Sequence, residues 1–244
     1  MTKVPQVTLG FWIIKITATT LGETGGDTVS MSLNMGYLYS SLIFLVVFAG
    51  FVTAQISAKK FQPLVYWATI IATTTVGTTL ADFADRSLGM GYAGGAGLLS
   101  LLLLGSVLLW YRSLGTIAVE SIQSPASERF YWVTILFSQT LGTALGDWTA
   151  DTAGLGYDGG ALIFSLLLGL IALAHFRSTV SKTTLFWFAF VLTRPLGAVL
   201  GDFLDKPVTA GGLALSRYSA SGVLLLIMGV CLLLLPQRPA TKAH

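Results

Sequence analysis

The sequence predicts an all-α integral membrane protein of eight transmembrane helices, made by repeating one helix-hairpin unit four times. Three observations predict it. Of 244 residues, 54% are hydrophobic and 10% charged, against roughly 25% charged in a soluble domain. A soluble fold of this size cannot hide so much apolar surface, whereas a bilayer can. A span takes about 20 mostly apolar residues, so the length holds eight short spans and tight loops. Second, an aromatic–Trp pair opens four segments: Phe11-Trp12, Tyr66-Trp67, Tyr131-Trp132 and Phe186-Trp187. Third, the same glycine and aspartate follow each Trp in register, as W-x9-G-x-x-x-[GA]-D.

The first unit runs from Trp12 to Gly22, Gly26 and Asp27, turns at Asn34-Met35-Gly36-Tyr37, and enters an apolar helix, Tyr37–Thr53. The second repeats this with Trp67, Gly77, Ala81, Asp82 and Gly89-Met90-Gly91-Tyr92, then Gly94–Tyr111. The third has Trp132, Gly142, Gly146, Asp147 and Gly154-Leu155-Gly156-Tyr157, then Gly160–Phe176. The fourth has Trp187, Gly197, Gly201 and Asp202, but departs in its turn, which passes through Gly211-Gly212 to Tyr218 before Ser219–Leu235. Repeats at about 11–55, 66–112, 131–177 and 186–235 thus fill one transmembrane domain, 1–244. The Trp spacings of 55, 65 and 55 fit a unit doubled and the pair doubled again. Each unit crosses twice, so all four share one orientation and their pseudo-symmetry axis runs along the membrane normal.

The formal net charge of +3 averages two faces of opposite sign. Lys3, Lys59, Lys60, Arg112, Arg129, Arg177, Lys182, Arg238 and Lys242 share one face with Glu120 and Glu128. The hairpin tips hold Asp27, Asp82, Asp85, Asp147, Asp151, Asp158, Asp202 and Asp205, with Arg86, Lys206 and Arg217. Nine basic residues against three point to cytoplasmic N- and C-termini in a bacterial inner membrane, with the aspartates outward. The short N-terminus and the Lys15- and Glu23-bearing first span do not resemble a cleavable signal peptide. The basic face serves topology and lipid headgroups and lacks the features of a nucleic-acid binder. Cys231 alone, with His175 and His244, offers no thiolate or imidazole metal site.

Gly22/Gly26, Gly77/Ala81, Gly142/Gly146 and Gly197/Gly201 are small-xxx-small pairs that let helix backbones approach closely. Their packing should gather the four motif helices at the centre, with the plainer helices outside. Asp27, Asp82, Asp147 and Asp202 then lie near the inner seam, either as caps and turn residues or as a carboxylate ring that gathers cations and is the candidate metal site. Asp85, Asp151 and Asp205 follow at i+3 or i+4, on one helix face if the helix continues; unit one has Ser30 instead. Threonines before the glycine, such as Thr19, Thr74 and Thr140, either bond to carbonyls or line a wet path. Three ionisable residues break the repeat: Lys15, Glu23 and Arg194. A charge in mid-membrane costs about 2.5–3.5 kcal/mol on insertion scales, so Arg194 requires an acid, Glu23 or Asp27. That pair either locks packing or works in a transport path, and Lys15 either joins it or snorkels.

The recurrent [GA]-D and G-[LM]-G-Y elements, in tandem units of two spans, resemble a bacterial family of uncharacterised multi-pass membrane proteins defined by a repeat of unknown function. The resemblance covers residues 11–235 and implies the fold, with no activity attached. From the residues, the leading expectation is a transporter or channel-like protein for a hard cation (a proton, Na⁺, Mg²⁺, Ca²⁺ or Mn²⁺), fed by an acidic outward-facing vestibule. The alternatives are a proton-coupled carrier of a small organic solute held by Glu23, Lys15 and Arg194, and a non-transporting scaffold or sensor. No bound cofactor is expected, a divalent cation being cargo. The partners are the bilayer and the transported species, with oligomerisation left open. No HExxH, nucleophile–His pair or phosphate loop suggests an enzyme.

Overall fold

A computed structural model describes residues 2–240, apart from the side chain of residue 120; Lys242 and His244 lie outside the described residues. Eight α-helices build it: α1 (Leu9–Asp27), α2 (Gly36–Ser57), α3 (Pro63–Asp82), α4 (Gly91–Leu114), α5 (Pro125–Asp147), α6 (Gly156–Arg177), α7 (Lys182–Asp205) and α8 (Arg217–Leu234). Six are long and apolar enough to cross a membrane: α2, α4, α6, α7, α8 and α3 with the turn that follows it.

Three of the odd-numbered helices, α1, α3 and α5, start where the chain offers a side-chain cap or a proline. The Thr8 side chain accepts from the Phe11 N–H, Pro63 opens α3, and Ser124 and Ser127 form a capping box ahead of α5. These devices satisfy or remove N–H groups that have no partner in the first turn. At the other end, α1, α3 and α5 each widen into one π-helical turn directly after Asp27, Asp82 and Asp147 (residues 28–32, 83–87 and 148–152). The G-x-G-Y turns need two left-handed residues each, which glycine adopts without a Cβ penalty. Gly89/Gly91 and Gly154/Gly156 supply them at φ 67–70°, while unit one has Asn34 at 54° and Gly36 at 71°. Unit four turns differently, with Gly211 at 85°, Ala214 at 52° and Gly212 against the Lys206 backbone.

The four motif helices α1, α3, α5 and α7 pack in a closed ring in chain order, α7 returning to α1. The glycines that recur in the four repeats make these contacts possible. A Cβ on Gly22 would strike Thr74, on Gly77 the Gln139 backbone at 2.9 Å, on Gly142 Arg194, and on Gly197 Thr19. One turn later Gly26 meets Thr78, Gly146 meets Ala198 and Gly201 meets Glu23. The glycines therefore flank the ring's axis, at the seams between neighbours, rather than meeting at its centre. Threonines stitch the same seams. Thr19 donates to the Thr193 carbonyl at 3.1 Å, Thr74 to Ala18 at 3.3 Å and Thr78 to Gly22 at 3.1 Å. Thr20, Thr75 and Thr140 bond back into their own helices.

The even-numbered helices form an outer layer, but not as self-packed hairpins. Each lies mainly against the motif helix of the next unit: α2 on α3, α4 on α5, α6 on α7, and α8 on α1. The outer helices present Leu, Val and Ile to the exterior, among them Val46, Leu101, Leu166 and Leu226. Only 11–28% of their spanning windows is buried, against 72% for α3 and α7. At the base, Pro5 and Pro239 pair and the Val4 carbonyl accepts from Ala240 N–H, closing the circle. Lys3 holds the N-terminal arm to the Gln55 and Ile56 carbonyls and to Glu128 at 2.7 Å.

Candidate functional site

Every fourth residue of each motif helix faces the axis of the ring, so the axis is built of five four-residue layers about 6 Å apart. From the base they are Phe11/Tyr66/Tyr131/Phe186, Lys15/Ile70/Ile135/Phe190, Thr19/Thr74/Gln139/Arg194, Glu23/Thr78/Thr143/Ala198 and Asp27/Asp82/Asp147/Asp202. All twenty are at most 4% exposed, so the axis is a packed column with no open pore along it. The base layer is an aromatic plug. Tyr66 and Tyr131 share a hydroxyl hydrogen bond of 2.7 Å, and the Phe11 and Phe186 rings lie 6.3 Å apart.

The odd charges of units one and four converge in the middle. Arg194, completely buried, extends up the axis from its own layer to the next. Its Nη2 donates to Glu23 Oε2 at 2.9 Å, to Thr78 Oγ1 at 2.6 Å and to Thr143 Oγ1, one residue from each of the other three units. Of the two acids the sequence offered, the partner is Glu23. Gly142 leaves room for the Arg194 stem, whose Cβ and Cγ occupy the space a side chain there would fill. Lys15 does not snorkel. Its ammonium stays inside the bundle, 3.4 Å from Gln139 Oε1 across the ring and 4.2 Å from the Phe190 ring centre.

The four ring aspartates do gather in one layer, but they are buried and bridged by cations. Arg86 joins Asp82 at 2.8 Å to Asp147 at 3.6 Å, and Lys206 joins Asp27 at 2.9 Å to Asp202 at 3.0 Å. The open acidic vestibule expected from the charge pattern is thus a carboxylate ring closed over by two basic side chains. Burial alone would drive the Lys206 ammonium toward its neutral form; the Asp202 and Asp27 carboxylates outweigh that and raise its pKa. Arg217 reaches Asp27 at 3.8 Å but chiefly holds Asp205, at 2.6 Å.

The three following acids are not brought into the ring: Asp85 and Asp151 lie on the π-helical turns, and Asp205, the last residue of α7, is held by Arg217. Asp85 packs against Gly95 of α4 with neither carboxylate oxygen bonded among the described residues. Asp151 accepts from Tyr92 at 3.2 Å on the exterior, and Asp205 belongs to Arg217. Sequence reasoning also missed Arg86 and Lys206 as partners of the ring, although each stands four residues after its aspartate, the spacing that puts two side chains on one helix face.

What the arrangement can do chemically is concentrated at one point. One carboxylate oxygen from each of Glu23, Asp27 and Asp202 lies within 4.8 Å of the other two. Two oxygens on opposite sides of a Ca²⁺ ion stand about 4.8 Å apart, twice a ligand distance of ~2.4 Å. Asp27 Oδ1 is buried with no partner among the described residues.

A family model described as Repeat of Unknown Function (DUF347) matches the chain four times, at residues 10–61, 65–116, 130–181 and 185–236. No curated protein and no solved structure matches it.

Proposed function

Because the chain belongs to the family of this DUF347 repeat, we propose its activity from the axis that the four repeats build: transport of a hard cation across the bacterial inner membrane. The observation that carries the proposal is the carboxylate triad. Glu23, Asp27 and Asp202 come from two motif helices, converge within 4.8 Å and are buried. Oxygen ligands at that spacing suit Na⁺, Mg²⁺, Ca²⁺ or Mn²⁺, or a proton shared among the acids. Arg194 and Lys206 stand beside the triad as tethered cations, offsetting two of its three negative charges while no ion is bound. Entry of an ion from the tip side requires Lys206, which is partly exposed, to leave Asp27 and Asp202. With the basic base in the cytoplasm, as the positive-inside rule asks, that tip faces outward. The aromatic plug and the Arg194–Glu23 pair close the column below it, which favours a carrier over an open channel.

The test is metal-dependent thermal stabilisation of the detergent-purified protein, followed by flux in proteoliposomes. A ligand that binds only the folded state raises its stability as concentration rises. Wild type should be stabilised by a hard cation, and Glu23→Gln, Asp27→Asn and Asp202→Asn should lose that response; Asp151→Asn, on the exterior, should keep it. No stabilisation by any of these ions, with all variants alike, would reduce the ring to architecture.

A further inference from the structure

The middle of the axis holds two cations and one anion. Lys15 and Arg194 are both completely buried, and Glu23, the carboxylate that reaches this level, is engaged by Arg194. The Lys15 ammonium is repelled by Arg194 and, among the described residues, has only a long contact to Gln139 Oε1 and the face of Phe190. Arg194 makes all its hydrogen bonds through Nη2. Its Nε and Nη1, and the Gln139 Nε2, are buried donors with no partner among the described residues. Surplus positive charge and unsatisfied donors thus coincide in one place, sealed by Ile70, Ile135 and Phe190 on the base side.

We propose that Lys15, Gln139 and Arg194 form a binding site for one small anion, either a halide-sized ion or the carboxylate of a small solute. The alternatives each cure half the problem. A neutral Lys15 would remove the surplus charge but leave three donors idle, and a water molecule would occupy donors but leave the charge. An anion answers both, and because these layers are close-packed it must be small, with the flexible Lys15 and Arg194 side chains parting around it. The site adjoins the carboxylate triad through Glu23, which sits one layer above Arg194, so an anion and a cation would occupy neighbouring turns of one column. The inference rests on the donors and not on the cation reading.

The experiment measures anion binding to the full-length protein in a neutral detergent, with choline as the only cation and the bulky sulfonate buffer HEPES as reference anion. Failure of the triad as a cation site therefore leaves the readout intact. Chloride, nitrate and acetate are titrated by thermal shift, and isotopically labelled chloride and acetate by equilibrium dialysis. A saturable response to chloride and acetate supports a general small-anion site, and one to acetate alone supports a carboxylate-bearing solute. In either case Lys15→Met and Gln139→Met should each weaken binding about tenfold or more, the effect of losing one charged or buried hydrogen bond. Gln139→Met removes no charge and preserves shape, so it decides the matter if Lys15→Met fails to fold. The proposal is overturned if no anion binds saturably to wild type, or if both variants bind as wild type does, which would put the anion elsewhere.

Discussion

Arg194 and Glu23 offer the sharpest energetic test of the column. Arg194→Met keeps the aliphatic stem that packs on Gly142 and removes only the guanidinium. It leaves Glu23, 4% exposed at the side chain, with its charge uncompensated. Breaking a buried pair from one side costs about 3–5 kcal/mol, and the lost bonds to Thr78 and Thr143 fall within that figure because both hydroxyls keep other partners or can turn. Glu23→Gln strands the buried Arg194 guanidinium in turn. The amide oxygen can still accept from Nη2, which puts the cost toward the lower end of the same range, about 3 kcal/mol. In the double variant neither charge remains to be stranded, and Arg194→Met should cost at least ~1.5 kcal/mol less than it does alone. Reversible unfolding in mixed micelles, run as a four-member cycle, reads this coupling directly. Distant sites add within about 0.5 kcal/mol; additivity at that level would show that the two residues do not stabilise one another, and the reasoning from their 2.9 Å contact would be refuted.

Three further outcomes follow from the geometry. Gly77→Ala, whose methyl would stand 2.9 Å from the Gln139 backbone carbonyl carbon, should lose ~1–3 kcal/mol by overpacking, while Gly169→Ala, with nothing within 4 Å, should be neutral or slightly stabilising by the same unfolding assay. Lys206→Gln removes the tethered cation between Asp27 and Asp202, so it should tighten hard-cation binding in the thermal-shift titration while lowering the stability of the ion-free protein; weaker binding would show that Lys206 helps to hold the ion. Reporter fusions within Ser113–Ser127 should read cytoplasmic and fusions near Ser87 or Pro207 external, and the reverse pattern would turn the triad toward the cytoplasm.

The repeat made much of the architecture legible. Glycine and aspartate in fixed register gave the number of helices and which of them are inner, because close approach and buried polarity both demand those residue types. The same register, continued in steps of four, also writes out the axis: Lys15, Thr19, Glu23 and Asp27 are one stripe, and their counterparts follow in each unit. The Arg194–Glu23 pair was readable because each is the odd residue in its layer. What could not be read was tertiary. Whether Asp85 and Asp151 join the ring depends on a π-helical turn, which periodicity does not signal, and Asp205 is held aside by Arg217 of α8. Arg86 and Lys206 looked like minor entries in a topology count; only their position over the aspartates makes them closures of the ring. The offset packing of α2 on α3 has no sequence signature at all, since either neighbour offers a similar apolar face.

That offset has a consequence for biosynthesis. Because α8 covers α1, the first helix of the ring to be made is the last to receive its outer neighbour. Lys15 and Glu23 enter the bilayer early, on a helix whose ionic partner Arg194 is still unmade by some 170 residues of chain. Until α7 arrives, α1 must wait at the insertion machinery, hold water around its charges or lean on the helices already made. The structure is therefore one whose first segment is stabilised by its last, and truncation anywhere before α7 should leave a product that quality control recognises, whatever the quality of the repeats already in place.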